Sequence, residues 1–478
     1  MTVSLPVHGR PHDEILATLR AMRAVDVPWR AGRLYAGIYD PGPEAEAVIK
    51  AAYSEFLTEN ALYPNYYPSL LQLEATIVGS LKELLRAPER AAGSCTSGGT
   101  ESILLAVKTA RDKARAERPQ VTTPTIVLPR TAHPAFHKAA HLLGLALRIV
   151  EVDPATFRAD PAAMAAAIDD QTVLVVASAP CYSHGVVDPV PEIAAAAAAR
   201  GIPCHVDACV GGIHLSVMRL AGMDVPEFDL HLPGVSTLSV DMHKYGYAAK
   251  NISLLLYRDR ELRRYGMYSN ARTTGYALIN SGILSTRSGG PLAGAWATLQ
   301  HFGQAGYINL VTAVMESTHR LIDGIGQIPG LRVLSKPDMC MFAVASDEVS
   351  VFLIDDAMSR RGWALQPQFA IGGSPANLHI SVNHGNIGQE DAFLSDLRAA
   401  MEEARADGSL GDPGDLQAEV ERIMAAPGPD SFAQIAALAG ITPGSMPSSF
   451  AQINTVLNAL PDPIVEQLLI EYLNSIYA

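Results

Sequence analysis

The sequence of 478 residues holds only five cysteines, Cys95, Cys181, Cys204, Cys209 and Cys340. Their odd number and scattered spacing, without a Cys-x-x-Cys pair, argue against a disulfide framework and against a zinc site. No uninterrupted apolar run approaches the roughly 20 residues that a bilayer requires. The alanine-rich stretch from Ile193 to Ala199 is short and leads straight into Arg200. The amino terminus, with His8, Arg10, Asp13 and Glu14, lacks the apolar block of a secretory signal, so a cytoplasmic location is expected. Basic residues are outnumbered, 36 Lys and Arg against 49 Asp and Glu. That balance argues against a general nucleic-acid binder, though a local basic pocket for an anionic substrate stays open. Gly-x-Gly-x-x-Gly, the Walker loop, His-Glu-x-x-His and Gly-x-Ser-x-Gly are all missing, and with them the usual signatures of dinucleotide, nucleotide, zinc-protease and serine-hydrolase sites. There is no internal repeat and no low-complexity tract.

What is present is a globular composition, 48% hydrophobic and 18% charged, long enough for two or three packed units. Residues 1–69 mix helical pattern with Gly and Pro and read as an amino-terminal arm. Helical spacing at 70–85 is stopped by Pro88, and Ser97-Gly98-Gly99-Thr100-Glu101 opens a second helix reaching about Ala116. Strand-like runs at 125–128, 148–152, 172–178, 203–207, 235–240 and 252–257 follow, with helical segments at 134–143, 161–168 and 191–200 among the first four. This alternation predicts an α/β fold with a mainly parallel sheet covered by helices on both faces, over residues 70–305. After Gly289-Gly290-Pro291 a long helix begins. Strands at 332–334, 341–345 and 378–382, with helices at 349–361 and 390–406, predict a smaller α+β domain over 306–408. Residues 409–478 are a Pro- and Gly-punctuated extension with helical pieces at 416–425 and 463–477.

Four segments concentrate the polar chemistry at strand ends or helix starts, where open α/β sheets bind ligands. Asp241-Met242-His243-Lys244-Tyr245-Gly246 follows a strand. A lysine is commonly a solvated surface residue, but a desolvated one has a lowered pKa and can bond a carbonyl as a Schiff base. His243 is placed to donate to a phosphate, unless it is a satisfied core histidine; Asp241 with His243 lacks a third metal ligand at matching spacing. His205-Val206-Asp207-Ala208 ends a strand in a carboxylate. Such an anion keeps the pyridine nitrogen of pyridoxal 5′-phosphate (PLP) protonated, although a helix cap or surface aspartate fits equally. Ser97-Gly98-Gly99-Thr100-Glu101-Ser102 forms an anion cradle at a helix start, or an ordinary capped turn. Thr131-Ala132-His133-Pro134 offers an aromatic ring between a strand and a helix. Each signal is weak alone; their order and spacing together point to PLP.

These residues resemble the sphingosine-1-phosphate lyases, within the PLP-dependent decarboxylase group of fold type I (aspartate aminotransferase-like). The resemblance covers about residues 33–383 and is carried by Thr96-Ser97-Gly98-Gly99-Thr100-Glu101-Ser102-Ile103, His184-Gly185-Val186-Val187-Asp188-Pro189, His205-Val206-Asp207-Ala208-Cys209-Val210-Gly211-Gly212, His243-Lys244-Tyr245-Gly246-Tyr247-Ala248-Ala249-Lys250 and Trp296-Ala297-Thr298-Leu299. It implies that Lys244 carries the cofactor, Asp207 pairs with the pyridine nitrogen and His133 stacks on the ring. It implies further that Gly98, Gly99, Thr100 and His243, with Ser239, hold the cofactor phosphate. Tyr182 is implied as a proton donor or acceptor near the reacting carbon, with a core aromatic as the equal reading. Tyr39, Tyr63, Lys250 and Arg287 match the cup that holds the substrate's own phosphate. Two departures stand out. Asn60-Ala61-Leu62-Tyr63-Pro64 puts Tyr63 where the family has histidine, and Ser285-Thr286-Arg287-Ser288-Gly289-Gly290 has Ser288 in place of proline. The extension beyond about Gly408 has no counterpart in the resemblance.

The implied reaction is a retro-aldol cleavage of a phosphorylated long-chain amino alcohol, giving an aldehyde and phosphoethanolamine. The alternative is an amino-acid decarboxylase with the same cofactor machinery, where Arg287 or Lys250 binds a carboxylate. A non-catalytic protein of the same fold is a third reading, set against by the intact Lys244, Asp207 and His133. The resemblance also implies a homodimer with active sites at the interface; unlike eukaryotic members of the family, the chain shows no expected membrane helix.

Overall fold

A computed structural model of the chain describes residues 5–272, 275–407 and 450–477, with 418–419, 422–423, 434–435 and 438 between them. The helix expected at 416–425 falls largely outside the described residues.

Seven strands form the large sheet: β1 (Ala92–Thr96), β2 (Thr125–Pro129), β3 (Ala146–Val150), β4 (Thr172–Ser178), β5 (Cys204–Asp207), β6 (Val235–Asp241) and β7 (Ser253–Tyr257). Their order is β1-β7-β6-β5-β4-β2-β3. Strands β2 to β6 run parallel, and β7 is antiparallel to both its neighbours. β4, a mainly apolar run, and β5, Cys-His-Val-Asp, are buried along their whole length, as a sheet covered on both faces requires. Strand β1, Ala-Gly-Ser-Cys-Thr, has little intrinsic β preference, and the sequence reading passed over it. It exists because it pairs with the apolar β7, from Ala92 opposite Tyr257 to Thr96 opposite Ser253. Gly93 lets Leu256 and Val78 close over it, since a Cβ there would lie 2.7 and 2.8 Å from their methyl carbons. β1 and β6, both antiparallel to β7, end on the same edge as β4 and β5.

A short hairpin, β8 (Tyr268–Asn270) and β9 (Leu278–Asn280), precedes the helix Gly290–Ile325. This helix crosses the expected boundary at 305 and breaks at Gly303 (φ 55°, ψ −176°). It packs along the helix Pro43–Glu55 of the amino-terminal region. The helix His12–Met22 before it buries no residue. Beyond it, β10 (Leu331–Val333), β11 (Met341–Ser346), β12 (Gln366–Gln368) and β13 (Asn377–Ser381) form an antiparallel sheet in the order β10-β11-β13-β12. The helix Val351–Arg360 packs on it, and the helix Glu390–Ala406 packs in turn against that helix. One continuous apolar core runs from the large sheet into this domain. A separate small core, containing Ile423, Ile435, Ile453, Val456, Leu460 and Leu468, belongs to the carboxy-terminal extension. Among the described residues no helix is long and apolar enough to cross a membrane.

Asp355, in the Val351–Arg360 helix, makes the small domain's stability depend on pH. Burial, and then the charge of Asp356, raise its carboxyl from 3.8 to about 7. The folded state therefore holds a proton that the unfolded state has lost between these values, and its stability falls as pH rises through that window. Asp355→Asn is expected to raise Tm by about 1–3 °C at pH 8, corresponding to roughly 1–3 kcal/mol, and to change it little at pH 4. Thermal melts at the two pH values check this; an equal shift at both would refute it.

Candidate active site

The carboxyl edge of the large sheet opens into a cavity of about 430 Å³. Four loops supply its walls. After β1, Ser97 and Gly98 turn the chain into the helix Gly99–Glu117. Glu101 braces this turn, accepting from Ser97 N at 2.6 Å and from Ile283 N at 2.6 Å. Gly99 is needed for close approach: a Cβ there would lie 2.9 Å from both Asp241 Oδ2 and Cys209 Sγ. The helix start therefore faces the cavity with free backbone N–H groups and the Thr100 hydroxyl, a ready anion site. His243 lies beside Gly98 and is fixed by its Nδ1, 2.7 Å from Ile252 O. Burial holds its pKa below the usual histidine range, although Asp241 opposes this.

β5 delivers Asp207 to the same edge. Its Oδ1 accepts from Cys209 N at 3.1 Å and from Ser239 Oγ at 3.4 Å. Under it lies buried His205, spanning Thr237 Oγ1 (2.9 Å) and Ser239 Oγ (3.2 Å). Opposite, His133 opens the turn before the helix Ala135–Leu143 and accepts from Ala135 N at 3.1 Å through Nδ1. Burial lowers its pKa against the pull of Asp207, which favours the neutral ring that can lie against an aromatic face.

Lys244 follows β6 and reaches the cavity 3.0 Å from Asp241 Oδ2. The sequence reading expected desolvation to lower its pKa, and the structure corrects this. Burial does act in that direction, but the attraction of Asp241, followed by Cys209, Tyr39 and Asp207, outweighs it and holds the ammonium above the usual lysine range. Asp241, weighed from sequence only as half of a metal pair, is thus the partner of Lys244. The i,i+3 spacing after a strand end was the available signal. Tyr182 also lines the cavity, donating to Gln366 Oε1 at 2.7 Å and stacking on His379 with ring centroids 4.1 Å apart. Burial raises its pKa. Gln366 and His379 come from the small domain, and no local motif marks either.

Other expected residues lie elsewhere. Ser239, expected at the cofactor phosphate, is fully buried behind Asp207 and supports that carboxylate. Its position in the middle of β6 turns it under the sheet edge. Nor does one chain gather the expected phosphate cup. Tyr39 and Lys250 are neighbours, with Lys250 Nζ 5.1 Å from the Tyr39 ring centroid and 3.1 Å from Gly37 O. Arg287 instead donates to Cys95 O at 2.9 Å and lies 3.6 Å from Glu74. It lines an adjacent cavity sharing Ser97 and Asn251 with the first. Tyr63 is 49% exposed and packs on Tyr66. The carboxylates Glu227 and Asp229 approach His231, but Arg86 and Arg219 each lie 2.9 Å from Asp229 and neutralise that cluster.

The cavity fits PLP on its own terms. It combines an anion cradle, an amine, a carboxylate and an imidazole, and the buried Ser178 hydroxyl on its wall has no partner among the described residues.

Comparison with known proteins agrees with this geometry. Residues 38–344 match the pyridoxal-dependent decarboxylase conserved domain. Residues 410–475 match a domain described for pyridoxal-dependent enzymes as a carboxy-terminal helix-turn-helix candidate. A sphingosine-1-phosphate lyase of Dictyostelium discoideum is 36% identical over 401 residues, covering 83% of this chain and 74% of that protein. The structure of a sphingosine-1-phosphate lyase from Burkholderia pseudomallei K96243 superposes with a TM-score of 0.81 at 34% identity, covering 89% of this chain and 97% of that one. A probable L-tyrosine/L-aspartate decarboxylase of Methanothermobacter thermautotrophicus is 34% identical over 322 residues, covering 66% of this chain and 85% of that protein.

Proposed function

Since this chain belongs to the sphingosine-1-phosphate lyase family, within the pyridoxal-dependent decarboxylases, we propose that it cleaves a phosphorylated long-chain amino alcohol into an aldehyde and phosphoethanolamine. The protein is a PLP-dependent lyase of fold type I. What supports the reading of its site is the convergence of Lys244, Asp207, His133 and the Gly98–Gly99–Thr100 turn on one cavity.

Bound there, PLP supplies an electron sink for the pair released when a bond to the amine-bearing carbon breaks. The residues do the rest. Lys244 would hold the cofactor through its amine. Asp207, oriented by Ser239 and Cys209 N, would supply the negative charge for the pyridine nitrogen. His133 would cover the ring, and Gly98, Gly99, Thr100 and His243 would hold the cofactor phosphate. Tyr182 turns an oxygen lone pair to the substrate's 3-hydroxyl and orients it by accepting its hydrogen bond, and the Lys244 amine, once freed by the substrate amine, would take the proton as the carbon–carbon bond opens. Tyr39 and Lys250 bind the substrate phosphate, joined by Arg287 and Tyr63.

Tyr63 and Arg287 lie outside the Lys244 cavity of their own chain, which favours a homodimer completing each site from both subunits. The groove lined by Arg287 also carries the exposed Leu71 and Leu284 and the 66% exposed Ile279, apolar surface suited to a partner subunit. The protein is expected at twice the chain mass by light scattering. Mixing Lys244→Ala chains with Tyr63→Ala chains is expected to give a kcat/KM above that of either parent, because hybrid dimers contain one intact site. A monomer, or no recovery, refutes the shared site.

The decarboxylase reading is kept open by the similarity to the methanogen protein. Incubation with sphingosine 1-phosphate and with aromatic or acidic amino acids separates the two: long-chain aldehyde is expected from the first. Carbon dioxide from an amino acid, with no aldehyde, would overturn the lyase assignment.

A further inference from the structure

The carboxy-terminal extension is matched to a helix-turn-helix domain, yet its charge is wrong for a nucleic-acid reader. Residues 410–475 carry eight carboxylates and a single basic side chain, Arg422. Nucleic-acid affinity rests on cationic contacts to phosphates, and this unit would be repelled by them.

Its described contacts point inward. The helix Ala451–Ala459 is pinned to the small domain at both ends. At its start, the Asp356 carboxylate accepts from Phe450 N at 3.1 Å and Ala451 N at 3.2 Å, capping the helix from another element. At its end, Asn458 Oδ1 accepts from Ala370 N at 2.7 Å. Ala370 lies two residues beyond β12, a three-residue edge strand paired on one side only, to β13. A strand this short with one neighbour has little stability of its own; ahead of it Ala364 is bridged to Leu34, and beyond it the hold is the bond from Ala370 N to Asn458. β12 carries Gln366, which accepts the Tyr182 hydroxyl proton at 2.7 Å. A phenol has one proton; once it is donated to Gln366, only lone pairs are turned to the cavity. The direction of that hydroxyl therefore depends on where β12 lies, and β12 is tethered through Ala370 to Asn458.

We propose that the carboxy-terminal unit is an intramolecular brace: Asn458, through the Ala370 backbone, fixes the strand bearing Gln366 and so the hydroxyl direction of Tyr182. Asn458 and Gln366 are positioning residues. The part concerning catalysis rests on the role of Tyr182 proposed above.

The test uses full-length holoenzyme. Asn458→Ala is expected to lower kcat about 10-fold with KM changed less than about 2-fold, leaving cofactor content and visible absorption as in the parent. Asn458→Asp keeps the acceptor oxygen and should restore kcat to within about 2-fold of the parent. Gln366→Leu should reproduce the loss, and the double variant Asn458→Ala/Gln366→Leu should be no slower than Gln366→Leu alone. Parental kcat in Asn458→Ala, or losses that multiply, overturns the proposal. Amide hydrogen exchange gives a reading independent of turnover. The Ala370 amide and the 366–371 segment should exchange faster in Asn458→Ala and as in the parent in Asn458→Asp. Unchanged exchange sinks the brace even if the lyase assignment stands; faster exchange upholds it even if no lyase activity is found. Fluorescence anisotropy with duplex DNA at low salt should show no binding, and saturable binding would make the unit a nucleic-acid reader instead.

Discussion

Lys244→Ala is expected to abolish turnover, with a loss of at least about 10³-fold, and to remove the visible absorption of the lysine-bound cofactor. No other amine takes its place: Lys250, six residues on, donates to Gly37 O and lies against Tyr39. The variant should fold, because removing the side chain lifts one charge from a cavity wall and leaves the core untouched. Asp241 then loses its partner at 3.0 Å. Absorption spectroscopy and steady-state assay of the purified variant check both halves. Activity together with parental absorption in Lys244→Ala would end the assignment of this cavity as the cofactor site.

Asp207→Asn should have the second largest effect. The substitution keeps the shape and the oxygen that accepts from Cys209 N and Ser239 Oγ, and removes only the charge. A hydrogen bond to a charged group contributes about 1.5–3 kcal/mol. If that interaction strengthens as electrons move into the ring, kcat should fall by roughly 10- to 100-fold. Cofactor affinity should weaken over a similar range while Tm of the cofactor-free protein stays near the parent. A kcat equal to the parent would mean that Asp207 is a structural carboxylate at the sheet edge. Ser239→Ala tests the corrected place of that residue: behind Asp207 it should act in the same direction as Asp207→Asn and more weakly. A residue holding the cofactor phosphate would chiefly change cofactor affinity.

Much of this was legible in the chain. Strand β4 could be read because its apolar run is buried on both faces, which leaves an unbroken hydrophobic signal. The helix Gly99–Glu117 announces itself by its glycines and hydroxyls, and Asp207 and Lys244 stand where strands end. The strands β1 and β12 were missed, since Ala-Gly-Ser-Cys-Thr and Gln-Pro-Gln become strands only beside β7 and β13. The pKa direction of Lys244 was missed for a related reason: burial is foreseeable from pattern, but the carboxylate at 3.0 Å is a matter of geometry.

The amino-acid order alone determined the α/β class, the family and the PLP cofactor, because hydrophobic period and strand-end chemistry are local properties written residue by residue. Which groups meet was decided only in three dimensions. Asp241 pairs with Lys244, Ser239 stands behind Asp207, Gln366 holds Tyr182 from 184 positions away, and Tyr63 faces outward. Contacts between distant segments depend on how sheets and helices close on one another, and no local pattern carries that information.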